Sequence, residues 1–254
     1  MKSHLSISAC LLLAGLVGAM ANSAQAAEVK VLSAGAIEPG VKAAAAAFEK
    51  ESGTQVHLIF NTAPQIRKRM ADGEAFDVVL APPAMLDELV KANKVDGPRA
   101  ALGRVGLGVV IRADAPVPDI GTAEAFRESV LQAETLVFNR ASTGLYLEEL
   151  LRKQGVYDKI EGKTTRYPDG ASVMEHVLHG KGKQIGFGAI TEILLYRDKG
   201  LKLVGPLPAA LQNYTTYSGT VMLGSANAEQ ARKFVQFLDG ANGKALFKAA
   251  GIDP

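Results

Sequence analysis

The chain has one cysteine, no tryptophan, and only 6% aromatic residues among its 254 positions. Cys10 lies in the apolar leading segment, so the rest of the chain has no disulfide to staple it and must build ordinary hydrophobic cores. The scarcity of rings argues against a sugar site made of stacked aromatics. Charge of one sign is also lacking: the formal net charge is +2, with acids and bases interspersed. No basic block or aromatic–basic interleaving suggests a nucleic-acid partner. His176 and His179 stand three apart on a predicted helix, but no cysteine or acidic partner completes a metal-ligand set. His57 falls in a strand pattern and reads as structural. There is no serine nucleophile elbow, no dinucleotide glycine fingerprint, no regular repeat and no low-complexity linker. No metal or other cofactor is expected.

What is present begins with an export pattern. Met1-Lys2-Ser3-His4 is mildly basic, Leu5 to Met20 is almost wholly apolar, and Ala24-Gln25-Ala26 has the small-x-small form of a signal-peptidase site. Residues 1–26 are therefore expected to be a cleaved signal peptide, with the mature chain starting near Ala27 in the periplasm. The apolar run is short for a retained anchor. Cys10 is poorly placed for lipid attachment because a long apolar segment follows it. A freely diffusing monomer is the expectation.

The mature chain alternates short strands with helices, which predicts an α/β fold. Val29-Lys30-Val31-Leu32 is β-prone, Ser33-Ala34-Gly35-Ala36 is small and flexible, and the alanine-rich segment after it favours helix. A strand, a tight turn and a helix start leave backbone N–H groups facing the turn, where an anion can be held. The unit recurs. Gln55 to Phe60 leads through Thr62 and Pro64 into a helix around Arg67, and Leu136-Val137-Phe138 leads through Arg140, Ser142 and Thr143 into a helix from Leu145 to Gln154. Thr164 to Tyr167 leads through Asp169 and Gly170 into another helix. Val105 to Ile111 reads as a long strand crossing between lobes, and Tyr214 to Leu223 as the return. The expected division is residues 27–108 for the first part of lobe 1, 109–213 for lobe 2, and 214–254 for the return crossing and the rest of lobe 1. The predicted architecture is two α/β lobes around a ligand cleft.

The candidate residues follow from that cleft, each with an ordinary structural role beside the functional one. Ser33 is a residue at the end of a strand or a ligand contact. Gly35 and Ala36 are small enough to let an anion reach backbone N–H groups. Glu38 caps a helix electrostatically or serves as a base. Thr62 is an N-cap or a donor. Ser142 and Thr143 precede a helix and follow Arg140, whose guanidinium binds a carboxylate or joins an ion pair between lobes. Asp169, Gly170 and Ser172 form a further helix start, where capping competes with ligand contact.

The segments VLSAGAIEPGVKAAAAAFEKESG, FNTAPQIRKRM, FDVVLAPPAMLDEL, ASTGLYLEELLRKQG, QIGFGAITE and FLDGANGKALFKAAGI resemble the periplasmic molybdate-binding-protein-like family across nearly the whole mature chain. The resemblance implies a type II solute-binding fold whose lobes close over a ligand and, in transporters, meet ABC membrane subunits. By motif order Ala36 replaces the usual first-loop serine, Ala63 or Pro64 falls in the serine-rich second loop, Thr143 and Ala171 match later backbone-contact positions, and Ala189 stands where a tyrosine is expected. These departures put molybdate specificity in doubt. VLSAGAI, the turn after Arg140 and TTYSGTVM look closer to an organic-acid branch that resembles aconitate isomerase. An isomerase of that branch needs a base and an acid for allylic proton transfer. Glu38, Tyr214 and Tyr217 are the candidates, with Arg67 and Arg140 on the outer carboxylates. The leading expectation is a periplasmic receptor for a small organic anion, a di- or tricarboxylate. An aconitate isomerase-like enzyme, a molybdate-like oxyanion receptor and a ligand-sensing partner protein are the alternatives.

Overall fold

The computed structural model describes residues 28–254, so the signal-peptide expectation for residues 1–26 lies outside the described residues. The strands are β1 (Glu28–Ala34), β2 (Gln55–Asn61), β3 (Val78–Ala81), β4 (Val95–Arg112), β5 (Thr135–Asn139), β6 (Thr164–Tyr167), β7 (Gln184–Ala189), β8 (Leu201–Pro206) and β9 (Tyr214–Met222). The helices are α1 (Glu38–Ser52), α2 (Ala63–Ala71), α3 (Pro83–Lys91), α4 (Ala123–Gln132), α5 (Ser142–Lys153), α6 (Tyr157–Ile160), α7 (Gly170–His179), α8 (Ile190–Leu194), α9 (Ala228–Asp239) and α10 (Ala241–Ala249). Among the described residues, no helix is long and apolar enough to cross a membrane.

The strands form two α/β lobes. In the first, β2, β1 and β3 run parallel, and β9 and the first part of β4 complete the sheet antiparallel. In the second, β7, β5 and β6 are parallel, and β4 and β8 pair antiparallel beside them. β4 belongs to both sheets, bonding to β9 as far as Gly106 and to β7 and β8 from Leu107 onward.

Side-chain alternation along each strand explains why helices cover both faces. In β3, Val78 and Leu80 join one core while Val79 and Ala81 join the core on the opposite face. In β5, Leu136 and Phe138 point to one core and Val137 to the other. These short, wholly apolar runs are what a parallel strand buried on both faces requires.

Two expectations need correction. The crossing strand begins at Val95, not Val105; Gly97, Pro98 and Gly103 hide its period, and the register slips twice across them. The first loop is also tighter than expected. β1 runs through Ala34, a single 3₁₀ turn occupies Gly35–Ile37, and α1 starts only at Glu38. Ser33 is thus a strand residue, fully buried, with its hydroxyl donating to the Ala34 carbonyl at 3.2 Å.

Candidate functional site

The ends of β1, β2, β3, β5 and β7 converge where the lobes face each other. An inner chamber of ≈ 40 Å³ is lined by Ala34, Gly35, Ala36, Asn61, Thr62, Ala63, Pro82, Asn139, Ala141, Ser142, Thr143, Ala189, Glu192 and Tyr217. An outer chamber of ≈ 430 Å³ shares Gly35, Asn61, Thr62 and Glu192 and adds Glu38, Lys42, Phe60, Gln65, Asp169, Gly170, Ala171, Leu195, Tyr196 and Lys199. The inner space holds roughly three waters, the scale of one carboxylate or one small oxyanion.

Helix starts supply most of the donors. At α5, Asn139 is buried and its Oδ1 accepts from the N–H groups of Ala141 at 3.0 Å and Gly144 at 3.1 Å. The N–H groups of Ser142 and Thr143, at the first two helical positions, have no intrahelical acceptor. At α2, Thr62 N–H and Oγ1 donate to Gln65 Oε1 at 2.8 and 3.0 Å, a local cap that fixes the direction of the loop. At α7, Asp169 caps the helix by accepting from Ser172 N–H at 2.8 Å. That leaves Gly170 and Ala171 at the chamber wall.

The acid at the centre is Glu192, carried by α8. It is partly accessible through the cleft, and its carboxyl is wedged between the lobes. A Cβ added to Gly35 would stand 3.3 Å from Oε1, and one added to Gly170 would stand 2.2 Å from Oε2. Burial pushes this carboxyl up to about 7; a backbone hydrogen bond at Ala189 opposes the rise, and Asp169 and Glu38 add to it. Tyr217, buried on β9, has its phenol pushed up by burial and next by the Glu192 charge. Beside Glu192, the buried hydroxyl of Thr191 donates to the Ala36 carbonyl, joining α8 to the first loop of the other lobe.

The cleft gathers Gly35, Ala36, Thr62, Ala63, Ser142, Thr143, Ala189 and Tyr217 around the inner chamber, and Glu38, Gly170 and Ala171 around the outer one. Glu38 is ion-paired with Lys42 there. Four expected residues are not brought in. Ser33 is one step too deep in β1. Arg67 points its guanidinium across the surface to Glu88, bonding both carboxylate oxygens at 2.9 and 2.8 Å. Arg140 is exposed and lines neither chamber. Tyr214 is 44% exposed, with Arg104 stacked 4.7 Å from its ring centre. Among the described residues no arginine lines either chamber, and the side-chain cations there are Lys42 and Lys199. Among the described residues, no group of three metal-ligating side chains forms.

Sequence reasoning missed Asn61, Asn139 and Glu192. An asparagine two or three residues before a helix was a readable turn signal. Nothing local marked Glu192, since a glutamate in the first turn of a helix has an ordinary electrostatic reason to be there.

Two lobes, a strand shared between them and a cleft walled by helix starts define a type II periplasmic solute-binding fold. A family profile for bacterial extracellular solute-binding proteins matches residues 29–253, and the chain belongs to that family. It is 30% identical over 230 residues to an aconitate isomerase of a Pseudomonas species, covering 88% of this chain and 87% of the relative. Its fold is similar to the periplasmic molybdate-binding protein of Azotobacter vinelandii, with TM-score 0.75 and 18% identity over 89% of this chain and 99% of that one. It is also similar to the sulfate-binding protein SubI of Mycobacterium tuberculosis, with TM-score 0.73 and 19% identity over 90% and 87%.

Proposed function

We propose that the chain is an extracytoplasmic receptor for a small organic anion, a di- or tricarboxylate, held between the lobes and delivered to the membrane subunits of an ABC transporter. The supporting observation is the two-part cleft. The inner chamber fits one carboxylate among the helix-start N–H groups and hydroxyls of Ser142 and Thr143. The outer chamber continues from it past Asn61 and reaches Lys42 and Lys199, where further carboxylates would lie. A tetrahedral oxyanion would use only the inner part. The same fold serves molybdate- and sulfate-binding proteins, and the 30% identical relative is named for a tricarboxylate.

One observation favours a second reading, reversible isomerisation of aconitate. A cleft carboxyl with its proton affinity raised to about 7 is equipped to take and return a proton at neutral pH. In that chemistry Glu192 would remove an allylic proton, helix-start N–H groups would stabilise the delocalised anion, and a proton would be returned at the other end of the allyl unit.

Proton NMR of the protein with trans-aconitate, followed over time against a protein-free control, tests both. Saturable broadening of the substrate resonances without conversion supports the receptor. Growth of cis-aconitate resonances moves the function to catalysis. Neither signal removes tricarboxylates as ligands.

A further inference from the structure

A glutamate at the centre of an anion cleft is an apparent contradiction. Glu192 is held between Gly35 of one lobe and Gly170 of the other, and it lines both chambers. It takes part in none of the ion pairs among the described residues; Lys42 is engaged by Glu38, and Lys199 lies 4.2 Å from the ring centre of Tyr196. The charged and titratable groups around it are Glu38 on α1, Asp169 at the start of α7, Tyr217 on β9 and Tyr196 after α8, with the two lysines farther along the outer chamber. An ionised Glu192 would therefore repel any bound anion at close range with no cation beside it.

A second acceptor stands on the same wall. Asn61 lines both chambers, and its Oδ1 is buried without a hydrogen-bond partner. The orientation of this amide follows from its neighbour. Gln65 Oε1 accepts from Thr62 N–H, so it is Nδ2 of Asn61 that faces Gln65, and Oδ1 is left over. A carboxyl with no cation beside it and an unpartnered amide oxygen at an anion site call for a donor on the ligand, or for a proton between ligand and protein.

We propose that Glu192 is a specificity-determining residue which makes the cleft select anions able to share a proton, such as carboxylates, over fully ionised oxyanions such as sulfate. This rests on the reading of the cleft as a small-anion site. The shared proton converts repulsion between two acids into a short hydrogen bond, as in any pair of carboxyl groups holding one proton between them. Sulfate, a far weaker base than a carboxylate, cannot share it and is admitted only while Glu192 itself stays neutral. At higher pH the unpaired carboxylate acts as the repulsive element of the specificity.

Isothermal calorimetry of the full chain with trans-aconitate and with sulfate, at pH 6 and pH 8 and in two buffers of different ionisation enthalpy, tests it. The expected result is trans-aconitate binding with uptake of close to one proton at pH 8, and a preference for trans-aconitate over sulfate that falls by roughly tenfold or more in Glu192→Gln. Proton uptake also disappears in that variant. Trans-aconitate binding without a buffer-dependent heat at pH 8 overturns the role of Glu192 and leaves the small-anion reading standing. Binding of neither probe at either pH overturns both. The buffer dependence is read on the unaltered protein, so the outcome does not hang on the variant folding.

Discussion

The carboxyl of Glu192 lies against Gly170 so closely that a Cβ on the glycine would stand 2.2 Å from Oε2. The two residues belong to different helices of lobe 2, and on the other side a Cβ on Gly35 of lobe 1 would stand 3.3 Å from Oε1. Replacing Gly170 by alanine should push the carboxyl toward the open chamber. Because the displaced group ends a flexible side chain, stability should change by about 1 kcal/mol or less. The Glu192 titration midpoint, followed by carbon NMR of labelled glutamate, should fall from about 7 toward the ordinary 4.5. An unmoved midpoint would show that the glycine contact does not hold the carboxyl.

Stability should carry the signature of the same group. Glu192 titrates near 7 in the folded chain and near 4.5 when unfolded. Between those values the unfolded state binds fewer protons than the folded one, so this group's contribution falls as pH rises through the window. Above it the penalty levels off at about 1–3 kcal/mol once partial solvent access is allowed for. Glu192→Gln should therefore match the parent near pH 4 and exceed it by that amount near pH 8 in urea denaturation. Parallel curves for the two proteins would rule the effect out.

Asn139 should matter to both fold and site. Its buried Oδ1 holds the N–H groups of Ala141 and Gly144, and its carbonyl accepts from Arg166 Nε at 3.0 Å and Nη2 at 2.9 Å. Asn139→Ala strands two donors at the start of α5 and should cost about 1–3 kcal/mol. It should also weaken anion binding at Ser142 and Thr143 by roughly tenfold, through loss of loop order. Calorimetry of Asn139→Ala checks this; unchanged anion affinity would show that the loop keeps its order without the amide.

The arginines provide a contrast. Arg67 is engaged with Glu88 at the surface, and Arg140 lines neither chamber. Replacing either with alanine should leave anion affinity within about twofold, as expected for exposed charges remote from the contact surface. A tenfold loss in Arg140→Ala would put a guanidinium in the binding site and revise the donor set.

The alternation of β-prone runs and amphipathic helices was legible throughout, because hydrophobic period and turn chemistry are local properties. The helix starts at Gly35, Thr62, Ser142 and Gly170 were legible for the same reason, since small and hydroxyl residues before an apolar-periodic run mark a chain reversal with free N–H groups. β4 was only half visible. Gly97, Pro98 and Gly103 break its period, and pairing with β9 rather than propensity carries it through. The arginines misled because a charge that can bind an anion can equally bind Glu88, and only the fold decides which partner is within reach.

The sequence by itself determined the class of the fold, the small-residue turns that line a cleft, and the lack of disulfides and of a cysteine-based metal site. Tertiary structure alone decided what stands at the centre of that cleft. Glu192 meets Gly35 and Gly170 only after β4 and β9 have joined the lobes, and its proton affinity is set by burial and by Asp169 and Glu38, on elements far from it in the chain. Period and propensity act over a few neighbours, whereas desolvation and charge act through space, which is why a commonplace glutamate in a short helix becomes the residue on which the proposed selectivity turns.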